Sequence, residues 1–140
     1  MTPTIETRIR KAIEARVTSL PMVSTYPIKW TDGPAYDPQA TDRYLRCTWT
    51  PNQASREGRV SSSLPVLRMG VLQIDVFLPK AHPVALAIET AGQVAAHFPL
   101  DHCMHFMGVG VRVMEPASVG PTFIDTHIQV PVTIQTSTYA

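Results

Sequence analysis

The amino-acid sequence predicts one α+β domain, in which two helices cover one face of a mixed or antiparallel sheet of about four to five strands. Two segments repeat apolar residues at helical spacing, and several others alternate apolar and polar residues as strands do. The 140 residues fit a single domain spanning positions 1–140. Thirteen prolines lie mostly at the ends of apolar segments, where they limit helices and strands. The predicted order of elements is α-β-β-β-α-β-β.

The first predicted helix lies at the N-terminus. Thr2 can cap it and Pro3 suits its first turn, while Leu20 and Pro21 mark its end. Apolar residues recur every three or four positions and form one stripe: Ile5, Ile9, Ala12, Ile13, Val17 and Leu20. Such a stripe indicates a helix that packs on a sheet with one side.

Three strands are predicted next, at residues 27–30, 44–50 and 67–78. The last of these is the clearest, because its residues alternate between two faces. One face is apolar throughout: Leu72, Ile74, Val76 and Leu78. The other face is mixed: Val71, Gln73, Asp75 and Phe77. Since two helices cannot cover both faces of the sheet, we expect part of the second face to be wet, covered by loops or buried against another subunit.

A long polar loop is predicted at residues 51–66, which contain almost no large apolar side chain. Loops of this length inside compact domains tend to be functional or disordered. Arginines cluster around it: Arg43, Arg46, Arg56, Arg59 and Arg68. Three interpretations stay open: a solvated segment, a site where nucleic acid stacks on Tyr44 and Trp49, or a segment whose arginines pair with acidic groups of a partner.

The second predicted helix begins at Pro83 and is stopped by Pro99. Its apolar seam is Val84, Ala87, Ile88, Ala91, Val94, Ala95 and Phe98. Two strands follow at residues 107–114 and 122–136, with a turn at 115–121. The last strand has an apolar face made of Ile124, Ile128, Val130, Val132 and Ile134. Pro131 implies an edge strand or a bulge there, because proline cannot donate to a ladder.

Catalysis and membrane insertion are not predicted. The formal net charge of +1 gives no field that would draw the chain to DNA or an anionic membrane. No apolar run approaches the roughly 20 residues that cross a bilayer. The sequence contains no P-loop, GxGxxG or HExxH motif. We therefore expect no enzyme activity and no cofactor.

A histidine-rich segment supports an alternative function of a different class. Asp101-His102-Cys103-Met104-His105 follows His97 closely, and histidine and cysteine are good zinc ligands. The segment lacks the paired spacing of known zinc motifs, and the adjacent His102 and Cys103 can hardly bind one ion together. We predict no metal site, and keep a small ligand- or metal-binding domain that uses His97, His102 and His105 as the alternative.

Several aromatic, glycine and proline positions occur in a distinctive order along the chain. Trp30-x-Asp32-Gly33 is followed by Tyr36-x-Pro38, then Tyr44-Leu45-Arg46, then the strand that begins at Gly70 and contains Phe77. With this order and the order of its elements, the chain resembles the tail terminator proteins of long-tailed bacteriophages. The resemblance extends from the first helix to the last strand.

The resemblance implies a structural virion protein. Such a protein would form a homo-hexameric ring on the tail tube protein, stop tube polymerisation and provide a docking surface for the head-completion or connector protein. The expected location is the virion tail or neck, after synthesis in the host cytoplasm; DNA can pass through the lumen without sequence-specific binding. Another neck component, a head–tail joining protein, is the alternative. The expected contact residues are Tyr36, Arg56, Glu57, Arg59, Arg68, Val71 and Phe77.

The polar loop generates the first testable prediction. If Arg56 and Arg59 pair with carboxylates of a neighbour, replacing both by Ala should impair tail capping and lengthen the tails. The defect should grow with salt concentration, because exposed charge pairs are screened. Electron microscopy of tails assembled at low and high salt measures this. Normal tail lengths under both conditions would reduce the loop to a passive connection.

Overall fold

The computed structural model describes residues 3–35, 38–39, 41–55 and 67–139. Within them the chain folds as an α+β domain with two helices and a mixed sheet, which confirms the predicted class; eight strands occur rather than four or five. In chain order the elements are α1 Ile5–Thr18, β1 Ile28–Trp30, β2 Tyr44–Ser55, β3 Leu67–Pro79, α2 Val84–Ala96, β4 Cys103–Phe106, β5 Val109–Val113, β6 Ser118–Val119, β7 Phe123–Ile124 and β8 His127–Tyr139.

The sheet is built around the long antiparallel pair of β3 and β8. Its strand order is β1-β2-β3-β8-β5-β4, and β1 runs parallel to β2 while the other pairs are antiparallel. Strand β8 pairs with β3 along one side over its whole length. On its other side β8 pairs with three short strands in turn, β7, β6 and β5.

Both helices pack on the same face of this sheet. Helix α1 lies against β4 and β5, and α2 lies against β3 and β8. The apolar face predicted for β3 is confirmed, since its four residues are fully buried: Leu72, Ile74, Val76 and Leu78. They join one core with the buried side of β8, which consists of Ile128, Val130, Val132 and Ile134.

Helix α1 starts later than predicted. Its N-cap is Thr4, whose Oγ1 accepts a hydrogen bond from the Thr7 N–H at 3.3 Å, whereas Thr2 lies outside the described residues. A threonine oxygen in this position satisfies a backbone N–H that has no partner within the helix. The predicted stripe is confirmed, with its central residues buried: Ile9, Ala12, Ile13 and Val17.

Helix α2 presents a slightly different side to the core than its apolar pattern predicts. Ile88 is 48% exposed, so its predicted place in the seam is wrong, and Thr90 is buried in its stead. The Thr90 hydroxyl can be buried because it donates to the Leu86 carbonyl at 2.9 Å and lies 3.4 Å from the Tyr26 hydroxyl. A satisfied hydroxyl carries little penalty in a core.

The predicted strand at residues 107–114 is wrong in its start. A hairpin turn at Met107 and Gly108 separates β4 from β5, and both residues have positive φ, 47° and 83°. Part of the histidine-rich segment, expected to be a loop, therefore forms β4. A positive φ is uncommon for methionine, so the sequence gives only Gly108 as a weak signal for this turn.

The strands near the end of the chain also have different bounds from those predicted. The predicted turn at 115–121 contains β6, and Ile124 belongs to β7, which folds back along β8 at Ile128.

The predicted loop at 51–66 begins later, because β2 continues to Ser55 opposite Leu67 of β3. Residues 56–66 lie outside the described residues.

Pro131 does not lie in an edge strand, since β8 has neighbours on both sides. Its carbonyl accepts a hydrogen bond from the Gly120 N–H at 2.8 Å. In an antiparallel strand the nitrogen and carbonyl of one residue point to the same side. The Pro131 nitrogen, which carries no hydrogen, therefore faces the interval between β6 and β7. The proline therefore removes no bond to β3, where it lies opposite Asp75.

Gly70 generates a prediction about stability. A Cβ at this position would overlap the indole ring of Trp49 on the neighbouring strand. We expect Gly70→Ala to lower the free energy of unfolding by about 1–3 kcal/mol, the usual effect of overpacking. Urea denaturation measures the change.

Gly92→Ala is the matched control, because a Cβ there meets nothing within 4 Å. In the exposed middle of α2 it should stabilise by roughly 0.5–1 kcal/mol. Equal effects of the two substitutions would contradict the close packing of Trp49 on Gly70.

Candidate interaction surface

One face of the sheet carries no helix. We call it the open face. Strand register aligns three rows of side chains across it, contributed by β2, β3 and β8: Tyr44, Arg46, Thr48 and Thr50; Phe77, Asp75, Gln73 and Val71; and Gln129, Pro131, Thr133 and Gln135.

A buried carboxylate lies at the centre of the open face. Asp75 is only 1% exposed, and its Oδ2 accepts hydrogen bonds from Nε and Nη2 of Arg46 at 3.2 and 3.0 Å. The Gln73 Nε2 donates to Oδ1 at 2.8 Å. Because a buried charge is costly unless it is paired and hydrogen-bonded, these contacts hold the three side chains in one arrangement. The uncovered face is therefore organised without help from a helix.

An aromatic cluster lies beside this network. The rings of Tyr44 and Phe77 stack with centroids 4.6 Å apart and planes 5° from parallel. The Arg46 guanidinium lies 4.9 Å from the centre of the Phe77 ring. His127 meets both rings edge-on, and its Nε2 lies 2.9 Å from the Asp42 carbonyl, to which it donates. Burial raises the pKa of Tyr44, so this hydroxyl stays neutral at ordinary pH.

Three of the seven predicted contact residues are described. Val71 lies half-buried on the open face. Phe77 is 8% exposed because the aromatic cluster covers it. Arg68 donates to the Glu6 carboxylate at 2.8 Å and so ties β3 to helix α1. The other four lie outside the described residues: Tyr36, Arg56, Glu57 and Arg59. The Arg46–Asp75 pair was not predicted from sequence, because only the register of β2 on β3 brings the two residues together.

A second ion pair fastens the segment after β1 to helix α1. Arg10 donates to both oxygens of Asp32, at 2.7 and 2.9 Å, and its guanidinium lies 4.1 Å from the centre of the Trp30 ring. The Arg10 hydrogen bonds lower the pKa of Asp32. The Trp30-x-Asp32-Gly33 motif thus has a structural use within the subunit.

Comparison with known proteins identifies the family. The family model described as phage tail terminator protein matches residues 8–135, which include α2, α1 from Arg8 onward and most of the sheet. The chain belongs to this family. It is therefore a structural component of a phage tail, as the sequence analysis predicted.

The fold of this terminator is similar to a solved structure that is 25% identical in sequence. The similarity has a TM-score of 0.77 and covers 97% of this chain and 96% of the other. No curated protein matches the chain at a significant level. Neither helix in the described part of the terminator is long and apolar enough to cross a membrane.

His97, which precedes the histidine-rich segment of the terminator, is engaged in a local hydrogen bond. The Ser19 hydroxyl donates its hydrogen to the Arg16 carbonyl at 2.6 Å. His97 Nε2 lies 2.7 Å from the Ser19 Oγ, so the His97 ring acts as the donor to this oxygen. Burial and the nearby Arg16 lower the pKa of His97. Among the described residues, no group of three His, Cys, Asp or Glu side chains is placed to hold a metal ion.

An apolar edge borders the sheet of the terminator at β6 and β7. Val119, Phe123 and Ile124 are 43, 53 and 57% exposed. Register with Val132 and Ile128 places Val119 and Ile124 on the helix side of the sheet. Phe123 lies opposite Gln129 and so belongs to the open face. Val119 and Ile124 therefore expose apolar area on one side of this edge, and exposed apolar patches are a common property of protein interfaces.

The buried carboxylate generates a prediction about stability. Removing the guanidinium with Arg46→Ala leaves Asp75 with Gln73 as its side-chain donor. We expect the free energy of unfolding to fall by about 1–3 kcal/mol, the range for a buried polar group that loses its partner. Chemical denaturation measures this loss.

A double-mutant cycle provides the control. In an Asp75→Asn background the carboxylate is neutralised, so Arg46→Ala should cost clearly less than in the native chain. Strictly additive effects would show that the two side chains do not act as a pair.

Proposed function

We propose that the protein caps the finished tail tube as a closed ring of six subunits. The ring stops further polymerisation of the tube protein and offers its outer surface to the head-completion or connector protein. Binding and shape suffice for this function, so it uses neither a catalytic group nor a cofactor. Membership of the terminator family is the observation that carries the proposal.

The described surfaces suit ring formation. In a ring each subunit must use one surface to bind a different surface of its neighbour, with a rotation that closes. The terminator has two such unlike surfaces: the exposed Val119 and Ile124 on the helix side of the sheet, and the polar open face with its paired Arg46 and Asp75. A ring would bury exposed apolar side chains that a free subunit leaves in water.

Contacts with the tail tube are proposed for the polar segment that joins β2 to β3 and for its neighbours on the sheet. Arg56, Glu57 and Arg59 belong to this segment, and Arg68 and Val71 follow it in β3. Arginine is suited to bidentate pairing with carboxylates on a partner. Arg68 would have to exchange Glu6 for such a partner or bind both.

Deleting the gene from a phage tests the proposed function. Tubes that are no longer capped should continue to grow, so electron microscopy should show overlong tails without heads. Expression of the intact protein from a plasmid should restore tails of normal length and infectious particles. A cryo-EM map of the neck should then show six copies around the tube axis.

Two outcomes would contradict the proposal. Deletion tails of normal length that fail to join heads would indicate a head–tail joining protein instead. A single copy per neck would exclude a ring.

A further inference from the structure

A small pocket lies at one end of the open face, between the starts of β2 and β8 and the β7–β8 hairpin. Its volume is about 250 Å³, and its walls include Tyr44, Phe77, Phe123, Asp125, His127 and Gln129. We call it the aromatic pocket. It is smaller than the ~300–1,000 Å³ of typical small-molecule sites, so a single side chain fits it better than a metabolite.

The composition of the aromatic pocket favours a cation. Ring faces carry partial negative charge and attract guanidinium groups, and Asp125 supplies a full negative charge. Within the described part of the chain, no ion pair involves Asp125. The chain already contains one example of the expected contact, since Arg46 lies 4.9 Å from the centre of the Phe77 ring. Arginine combines ring stacking with a fork of donors that suits a carboxylate.

One described arginine of this chain is much less engaged than the others. Arg112 is 54% exposed, and its closest acidic partner, Asp101, is 3.7 Å away and 68% exposed. Such exposed pairs contribute little. The remaining described arginines have polar contacts at 3.3 Å or less: Arg8, Arg10, Arg16, Arg43, Arg46 and Arg68.

Arg112 lies on the same side of the sheet as the aromatic pocket but at the opposite end of β8. It is paired in register with Ser137, whereas the pocket includes His127. Ten residues of strand separate these positions, or roughly 33 Å at 3.3 Å per residue. An arginine side chain cannot cover that distance, so no subunit can fill its own pocket with Arg112.

We propose that Arg112 of one subunit inserts into the aromatic pocket of the next subunit, where its guanidinium pairs with Asp125 and stacks on the ring of Phe123. The contact joins one end of β8 to the other end of β8 in a neighbouring copy. It is therefore head-to-tail, which is the type of contact that can close a ring. This inference rests on the proposed ring and specifies its interface.

Charge exchange tests the pair in solution. Sedimentation velocity over a concentration series should show that Asp125→Arg and Arg112→Asp each weaken self-association at least about tenfold, as expected for a desolvated charge pair. The double variant, with the charges exchanged, should recover most of the association. Arg43→Ala is the matched control, because Arg43 already contacts His82 and Tyr26, and it should leave association unchanged. Failure of the double variant to recover would overturn the proposal.

Cysteine crosslinking in assembled tails tests the same contact without relying on association of free subunits. A flexible bismaleimide is used, because a side chain as long as arginine keeps the two Cα atoms farther apart than the roughly 7 Å that a disulfide can bridge. Arg112→Cys and Asp125→Cys are combined in a Cys103→Ser background, because Cys103 lies opposite Arg112 and would otherwise react with it. Cys47 is buried, and burial raises its pKa to about 12, so it remains unreactive. Treatment with the bismaleimide should give a ladder of covalent oligomers, whereas each single-cysteine variant should give dimers at most.

The two proposals can fail separately. Tails of normal length from the double-cysteine variant, with no ladder after crosslinking, would overturn the Arg112–Asp125 contact and leave the capping function standing. If deletion of the gene does not lengthen tails while the ladder forms, the capping function fails and the contact between copies is retained.

Discussion

The pairing of β3 with β8 is the constraint on which the rest of the structure depends. These two strands are in register from Leu67 opposite Tyr139 to Pro79 opposite His127. Because side chains alternate along a strand, a shift by one residue would exchange the two faces of the sheet. The register thus places Leu72, Ile74 and their neighbours in the core on the helix side of the sheet and directs the polar row toward the other side.

The open face is a consequence of that register rather than an independent feature. The β3–β8 register brings Asp75 opposite Pro131, and the register of β2 on β3 brings it opposite Arg46, so the carboxylate gains a partner on one side and an apolar ring on the other. Pro131 is tolerated in a strand with two neighbours because its nitrogen faces the interval between β6 and β7. The same interval divides the edge that carries Val119 and Phe123 into two short strands.

The sequence predicts the elements whose apolar period is long and regular, and it fails where the period is short. Helix α1 and strand β3 agree with their patterns. The β4–β5 hairpin was missed because four- and five-residue strands give little periodicity, and its turn contains Met107 at positive φ. Thr90 replaces Ile88 in the core because a local hydrogen bond satisfies its hydroxyl, which composition cannot reveal. The Arg46–Asp75 pair requires the register, and the register follows from tertiary packing.

A ring of identical subunits needs two different contact sites on each subunit, and the two ends of β8 differ because their neighbouring strands differ. Strand β8 has one partner, β3, on one side, but on the other its neighbour changes from β7 to β6 to β5. Its ends consequently differ in chemistry: the start lies in an aromatic and acidic environment, and the end lies beside Arg112. The network of Asp75, Arg46 and Gln73 holds the side chains between those ends in one arrangement. The distance between the two sites is set by the length of β8 in the sheet. In the proposed ring, each subunit therefore binds one neighbour through the aromatic pocket and the other neighbour through Arg112, and this head-to-tail arrangement closes when the rotation between subunits allows it.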